Sequence, residues 1–147
     1  MPKFQLMQKN KHSLQLNQKD NLVATISSYL EENCKEIVAA YLFGSFITQR
    51  LFSDIDLGIL TAGDSEALNF EIDLENRLEK IVKYSVDVRV LNRAPLSFCR
   101  NVIRHRNVIL DRDPNLRSDF EGQILKQYFD VAYFQRQYLQ EVGNAPL

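Results

Sequence analysis

Residues 37–60 read IVAAYLFGSFITQRLFSDIDLGIL, and this stretch decides the fold. Its first seven residues are apolar and stop at Gly44, which predicts a strand buried on both faces. Residues 54–60 alternate polar and apolar with a period near two, which predicts a second strand. Asp54 and Asp56 then lie on one face of that strand, while the apolar residues between and after them enter the core on the other.

Helical and strand patterns alternate on both sides of this stretch. Apolar spacing predicts helices over 20–33 and 65–82, one that begins at Pro95, and one that begins at Pro114 and ends before Gly143. Short apolar or alternating runs predict further strands over 84–91 and 108–110. The sequence therefore predicts an α/β or α+β domain, in which helices pack on a small mixed sheet.

The length of 147 residues favours one domain with one core. Residues 1–19 are rich in Lys and Gln, so we expect them to form a flexible N-terminal extension. Residues 20–147 are expected to form the single domain, whose first helix is capped by Asp20 or Asn21.

Charge and composition exclude several classes of function. With 18 Lys and Arg against 19 Asp and Glu, the net charge is −1, which argues against nucleic-acid binding through phosphate neutralisation. No apolar run approaches the roughly 18 residues that span a bilayer, and the start of the chain does not resemble a signal peptide. We therefore expect a cytoplasmic protein that does not bind membranes. Cys34 and Cys99 are far apart, and neither a disulfide nor a zinc site is expected.

Three aspartates are candidate metal ligands. Asp54 and Asp56 present two hard anionic donors on one face of a strand, as Mg²⁺ requires. Asp87 lies on a later strand opposite three valines, and it would join them if the two strands are neighbours. Three carboxylates can hold two cations. The alternative for Asp87 is an ion pair with Arg89 on an edge strand.

Gly44 and Ser45 precede this acidic pair, and both suit a phosphate. Gly44 allows close approach of the backbone, and Ser45 offers an N–H and a hydroxyl. The predicted arrangement consists of a strand, Gly-Ser, a short helix, a strand with Asp-x-Asp and a later strand with Asp. This arrangement resembles the nucleotidyltransferase superfamily typified by DNA polymerase β. The residues that match are Gly44, Ser45, Asp54, Asp56 and Asp87.

Within that superfamily, the chain from about Leu22 to Tyr138 looks like the minimal nucleotidyltransferases (MNT) that pair with HEPN toxins in prokaryotes. The motifs that carry this resemblance are LFGS, SDIDLGIL and VDVRVLNRAP. The resemblance implies a DNA polymerase β-like fold, ATP as donor, and two Mg²⁺ ions held by the three aspartates, which would be the catalytic residues. It also implies that AMP is transferred to a tyrosine of a HEPN RNase partner, so that the protein acts as its antitoxin.

The loop between Gly-Ser and Asp-x-Asp departs from the family pattern. It has eight residues, FITQRLFS, whereas most members have ten, with a glycine and a basic residue. Arg50 is the candidate nucleotide-binding cation here, and the alternative is a solvated arginine. Two other functions therefore stay open: a non-catalytic antitoxin that neutralises the toxin by binding, and a small-molecule nucleotidyltransferase of the aminoglycoside type.

Two further motifs have structural explanations. Asp111 and Asp113 form a second Asp-x-Asp pair, but they sit in a turn before Pro114, where Asp is a turn former and helix cap. Arg100 and His105 have the R-x4-H spacing of HEPN RNases. Because a strand follows them here, whereas HEPN proteins are all helical, His105 is expected to end a helix as a favourable cation.

Overall fold

The computed structural model describes residues 11–63, 67–105 and 107–144. The strands are β1 (His12–Ser13), β2 (Ile37–Phe43), β3 (Leu51–Phe52), β4 (Asp54–Thr61), β5 (Ser85–Val90) and β6 (Val108–Asp111). The helices are α1 (Leu16–Asn33), α2 (Ser45–Thr48), α3 (Ala67–Val82), α4 (Leu96–Arg104) and α5 (Pro114–Asn144). Helices and strands alternate along most of the chain, which confirms the predicted α/β class.

Four of the strands form one mixed sheet in the order β5-β4-β2-β6. β2 pairs antiparallel with both β4 and β6, whereas β4 and β5 are parallel. The small mixed sheet predicted from the sequence is therefore confirmed. β2 is buried along its whole length, as its uninterrupted apolar run predicts.

Helices cover both faces of this sheet, and each face has its own apolar core. On one face, Ile26 and Leu30 of α1 and Leu74 and Leu78 of α3 pack against alternate residues of the strands. On the other face, α4 and the first half of α5 pack over Tyr41 and its neighbours. Because β4 alternates strictly at its start, its aspartates lie on the face that α4 and α5 share.

The long last helix begins as the sequence predicts and ends later. The carboxylate of Asp113 accepts a hydrogen bond from the backbone N–H of Leu116 (3.1 Å), which is the predicted N-cap. The helix continues to Asn144 and so includes Gly143, which had been predicted to lie beyond its end. A glycine inside a helix lowers its stability but does not stop it when the flanking residues are helix formers.

The start of the domain differs from the prediction. α1 begins at Leu16, before the predicted caps, and its first turn closes when the side chain of Gln18 accepts the backbone N–H of Gln15 (2.9 Å). β1 pairs antiparallel with β3, so residues 12–19 of the predicted flexible extension have defined structure. Residues 1–10 of that extension lie outside the described residues.

Side chains of the neighbouring helices satisfy backbone groups at both edges of the sheet. Along β5, Glu75 accepts the N–H of Val88 (2.8 Å) and Glu79 accepts the N–H of Val86 (3.0 Å). At the opposite edge, the hydroxyl of Ser27 donates to the carbonyl of β6 residue Ile109 (2.6 Å). The helices therefore contact the sheet through polar groups as well as through the core.

Across the described ranges, no helix has the length and apolar character needed to cross a membrane.

Candidate active site

The three candidate carboxylates lie on one face of two neighbouring strands. Asp54 and Asp56 are two residues apart on β4, and Asp56 is the register partner of Asp87 on the parallel strand β5. Because register partners in a sheet point to the same side, all three belong to the face covered farther along by α4. The condition set from the sequence, that the two strands be neighbours, is met.

These aspartates differ in exposure. Asp54 and Asp56 are half-buried, whereas Asp87 is exposed on the edge strand. Within the described part of the chain, no group of three or more Asp, Glu, His or Cys side chains is arranged so that it could hold a metal ion. The donors themselves fit Mg²⁺, because they are hard carboxylate oxygens placed on one face. Metal binding by this set therefore stays a prediction.

Gly44 places the end of β2 directly against Asp56. Its backbone has φ +76° and ψ −160°, a conformation that is essentially limited to glycine. A Cβ added there would lie 2.1 Å from Oδ2 of Asp56, so any side chain would collide with the carboxylate. From the sequence we expect Gly44 to allow close approach of the backbone to a phosphate, and the structure shows its close approach to Asp56.

Ser45 begins the single turn of α2. The carbonyl of Gly44 accepts the backbone N–H groups of Ile47 and Thr48, each at 3.1 Å, and the hydroxyl of Thr48 at 3.0 Å. Ser45 is half-buried beside this turn, whereas Arg50 is exposed between α2 and β3. The structure therefore brings Gly44 and Asp56 together with Asp87 and leaves Arg50 at the exposed margin.

Aromatic and charged side chains flank the carboxylate face. Phe43 meets Phe98 of α4 edge to face, with ring centroids 5.6 Å apart. The guanidinium of Arg89 lies 4.7 Å from the Phe98 ring centroid and pairs with Glu71 at 3.8 Å. Burial raises the pKa of Glu71 although Arg89 opposes the shift. Arg89, the alternative partner of Asp87, is thus engaged with Glu71 and Phe98.

Two of the clefts border α4, and the larger of these two is lined by Glu71 and Arg89. One, of about 370 Å³, is lined by Thr61, Asn92 and their neighbours at the far end of β4. The other, of about 200 Å³, lies between α4 and α5 beside Arg104 and Glu121. Neither is lined by the aspartates or by the Gly44–Ser45 turn, so the candidate site belongs to the sheet face and not to these clefts.

The two other motifs have the structural positions expected for them. Asp111 accepts a hydrogen bond from Arg117 (2.8 Å), and Asp113 caps α5. His105 follows α4 as its C-terminal cap, and Arg100 lies over the ring of Tyr128 (4.5 Å). These side chains stabilise helix ends and helix packing.

One contact near the site could not be read from the sequence. The ammonium of Lys19 donates hydrogen bonds to the carbonyls of Phe46 (2.8 Å) and Gln49 (3.0 Å), which belong to the loop after Gly44. These residues are far apart in the chain, so no periodicity or motif joins them.

Known proteins resemble the chain in sequence and in fold. A protein-family profile described as "Polymerase beta, Nucleotidyltransferase" matches residues 24–115, well over half of the chain. Among curated proteins, none matches.

Solved structures of toxin–antitoxin complexes share the fold. A chain from the tri-AMPylated Shewanella oneidensis HEPN toxin in complex with MNT antitoxin is 20% identical with a TM-score of 0.66, over 84% of this chain and 98% of that one. A chain of the MntA-HepT toxin–antitoxin is 20% identical with a TM-score of 0.65, over 84% and 97%. A chain of a toxin–antitoxin with AMP-PNP is 22% identical with a TM-score of 0.65, over 86% and 98%.

Proposed function

The chain belongs to the polymerase beta nucleotidyltransferase family, and from that membership we propose that it transfers AMP from ATP to a tyrosine of a HEPN RNase toxin. In this proposal the protein is a Mg²⁺-dependent protein adenylyltransferase that acts as the toxin's antitoxin. The observation that carries it is that Asp54, Asp56 and Asp87 share one sheet face, with Asp56 directly against Gly44. The proposed location is the cytoplasm, where ATP and Mg²⁺ are available.

The proposed roles follow from the charges that the reaction develops. The tyrosine oxygen forms a bond to the α-phosphorus of ATP, the bond from that phosphorus to the β-phosphate oxygen breaks, and pyrophosphate leaves. Asp54, Asp56 and Asp87 would hold Mg²⁺, which supplies positive charge opposite the phosphate oxygens and the leaving pyrophosphate. Asp87, exposed on the edge strand, accepts the proton of the tyrosine hydroxyl.

The Gly44–Ser45 turn is the proposed nucleotide-binding element. Gly44 has no side chain that would separate the backbone from a phosphate, and its conformation is one that other residues rarely adopt. The hydroxyl of Ser45 donates to a phosphate oxygen, and the exposed guanidinium of Arg50 approaches the triphosphate from the solvent side.

Fold similarity supports the choice of acceptor. The solved structures that share this fold include toxin–antitoxin complexes, and one of these contains a tri-AMPylated HEPN toxin. Another was solved with AMP-PNP, which agrees with ATP as the donor in this proposal.

A second candidate function is neutralisation of the toxin by binding alone. The observation that favours it is the second half of α5, where Phe129, Phe134, Tyr138 and Leu139 are each more than 60% exposed. An exposed apolar surface of this kind is typical of proteins that bind another protein.

The position of the label in ATP distinguishes AMP transfer from neutralisation by binding alone. The purified protein is incubated with host lysate, Mg²⁺ and ATP labelled at either the α- or the γ-phosphate. We expect a protein to become labelled from the α-position only, with AMP on a tyrosine when its peptides are analysed by mass spectrometry. Asp54→Asn and Asp56→Asn should abolish the label while leaving the far-ultraviolet circular dichroism unchanged.

Asp113→Asn is the matched control. It removes a carboxylate from the other Asp-x-Asp pair, and asparagine keeps the N-cap of α5, so transfer should be unchanged. Transfer that survives in both Asp54→Asn and Asp56→Asn would contradict the proposed mechanism. If no α-label appears but the toxin is neutralised, the protein acts by binding alone.

A further inference from the structure

The side chain of Lys19 reaches from the first turns of α1 to the segment that joins β2 to β4. Its ammonium donates hydrogen bonds to the carbonyls of Phe46 (2.8 Å) and Gln49 (3.0 Å). It also lies over two rings, 5.1 Å from the centroid of Phe46 and 5.4 Å from that of Phe52. A single cation thus contacts the segment at four points.

The two carbonyls that Lys19 binds need an external partner. α2 has only four residues, so its last carbonyls have no following turn of helix to bind them. A cation at the C-terminal end of a helix is also favoured by the helix dipole, and a hydrogen bond from an ammonium is stronger than one from a neutral donor. The ammonium of Lys19 therefore supplies the hydrogen-bond donors that the backbone N–H groups of a next helical turn would supply.

A second contact holds the same segment in place. β1 pairs with β3, and His12 is the register partner of Phe52. The ring of His12 also meets Tyr84 edge to face, with centroids 4.9 Å apart. Since Phe52 is 1% exposed and packs against Phe46, residues 12–19 lie across the loop and fix it to the core.

We propose that Lys19 is a positioning residue that holds the Gly44–Ser45 turn against Asp56 and so sets the affinity for a nucleoside triphosphate. The connection runs through α2, because the Gly44 carbonyl accepts the N–H groups of Ile47 and Thr48, in the same turn whose Phe46 carbonyl binds Lys19. The eight-residue loop has no glycine between Ser45 and Asp54. The inference rests on the proposed function, since it assigns the turn to nucleotide binding.

Amide hydrogen exchange tests whether Lys19 holds the loop, and this measurement does not depend on AMP transfer. In Lys19→Met, which keeps the apolar stem and removes the ammonium, we expect the amides of Thr48 and Gln49 to exchange about tenfold faster by NMR. Core amides of β4 should keep their protection. Lys35→Met, at an exposed lysine before β2, is the matched control and should change neither set. Unchanged exchange of the Thr48 and Gln49 amides in Lys19→Met would overturn the proposal.

Nucleotide binding tests the functional half. The dissociation constant of α,β-methylene-ATP, which cannot transfer AMP, should rise about tenfold in Lys19→Met. In the transfer assay KM for ATP should rise by a similar factor, while kcat changes less than twofold. Lys19→Arg, which keeps a cation, should restore most of the affinity, and Lys35→Met should match the wild type. Equal affinity of Lys19→Met and the wild type would overturn the proposal.

The two kinds of failure are distinguishable. If the wild type neither binds the analogue nor transfers AMP, the proposed function fails, and the exchange data still show whether Lys19 holds the loop. If the wild type transfers AMP and Lys19→Met does so with unchanged KM, the proposed function stands and the role of Lys19 is overturned.

Discussion

Replacing Gly44 with alanine perturbs the backbone and the carboxylate face together. The conformation of Gly44, with φ +76° and ψ −160°, costs another residue about 1–3 kcal/mol. The added Cβ would also lie 2.1 Å from Oδ2 and 3.1 Å from Cγ of Asp56, so the Asp56 side chain must rotate away. We expect the free energy of unfolding to fall by about 2 kcal/mol, which lowers Tm by about 4–8 °C in a chain of this size.

The loss of activity should exceed the loss of stability. At 25 °C a variant weakened by this amount is still folded, but its Asp56 no longer occupies the position beside the turn. AMP transfer by Gly44→Ala should therefore fall to the level of Asp56→Asn. Unfolding is measured by urea titration with circular dichroism, and transfer by the α-label assay under the same conditions.

Gly122 provides the opposite result as a control. It lies inside α5, where an added Cβ meets nothing within 4 Å, so Gly122→Ala should raise the free energy of unfolding by about 0.5–1 kcal/mol and leave transfer unchanged. If Gly44→Ala were as stable as the wild type, or kept full transfer, the close placement of Gly44 and Asp56 would be refuted.

Two further predictions concern burial. Glu75→Ala removes the acceptor of the buried Val88 N–H, so the free energy of unfolding in urea should fall by about 2 kcal/mol. As a control, Glu32→Ala at an exposed glutamate should change it by less than about 0.5 kcal/mol. Equal effects of the two variants would contradict the hydrogen bond between Glu75 and Val88. Burial raises the pKa of the Cys34 and Cys99 thiols above 9.0, so these thiols lose their protons at lower pH in the unfolded chain than in the folded one. Their contribution to the free energy of unfolding is therefore present at pH 7 and is lost as the pH rises above 9. Urea titrations above pH 9 should show that the free energy of unfolding falls with pH, and replacing both cysteines with alanine should make this fall smaller. An unchanged pH dependence in the double variant would refute the raised thiol pKa values.

The sequence predicted best those elements whose own residues show a hydrophobic periodicity or a helix-capping residue. β2 is one uninterrupted apolar run, β4 alternates, and Asp113 precedes Pro114 at the start of α5. Local patterns of this kind depend on burial of one face or on one helix end, so they can be read without knowing the partner. The positions of the acidic pair on β4 and of Gly44 after β2 were predicted for the same reason, and their role in catalysis stays a prediction.

The contacts that the sequence did not predict join residues distant in the chain. β1 and β3 have two residues each, too few to show any period, and they exist because they pair with each other. Lys19 was assigned to a flexible extension because Lys and Gln are frequent there, yet its ammonium binds the loop at Phe46 and Gln49. Composition reports the average of a segment and not the tertiary contact of one side chain.

The hydrogen bonds along the two edges of the sheet also bear on how the protein behaves at high concentration. An edge strand with a row of free N–H groups is a template for a strand of another molecule, and it is a common origin of aggregation. On β5, Glu75 and Glu79 occupy donors of that row and bring negative charge to it. On β6, Ser27 covers the carbonyl of Ile109. These contacts reduce the number of edge backbone groups that a strand of another molecule could bind, so they oppose strand addition at both edges of the sheet.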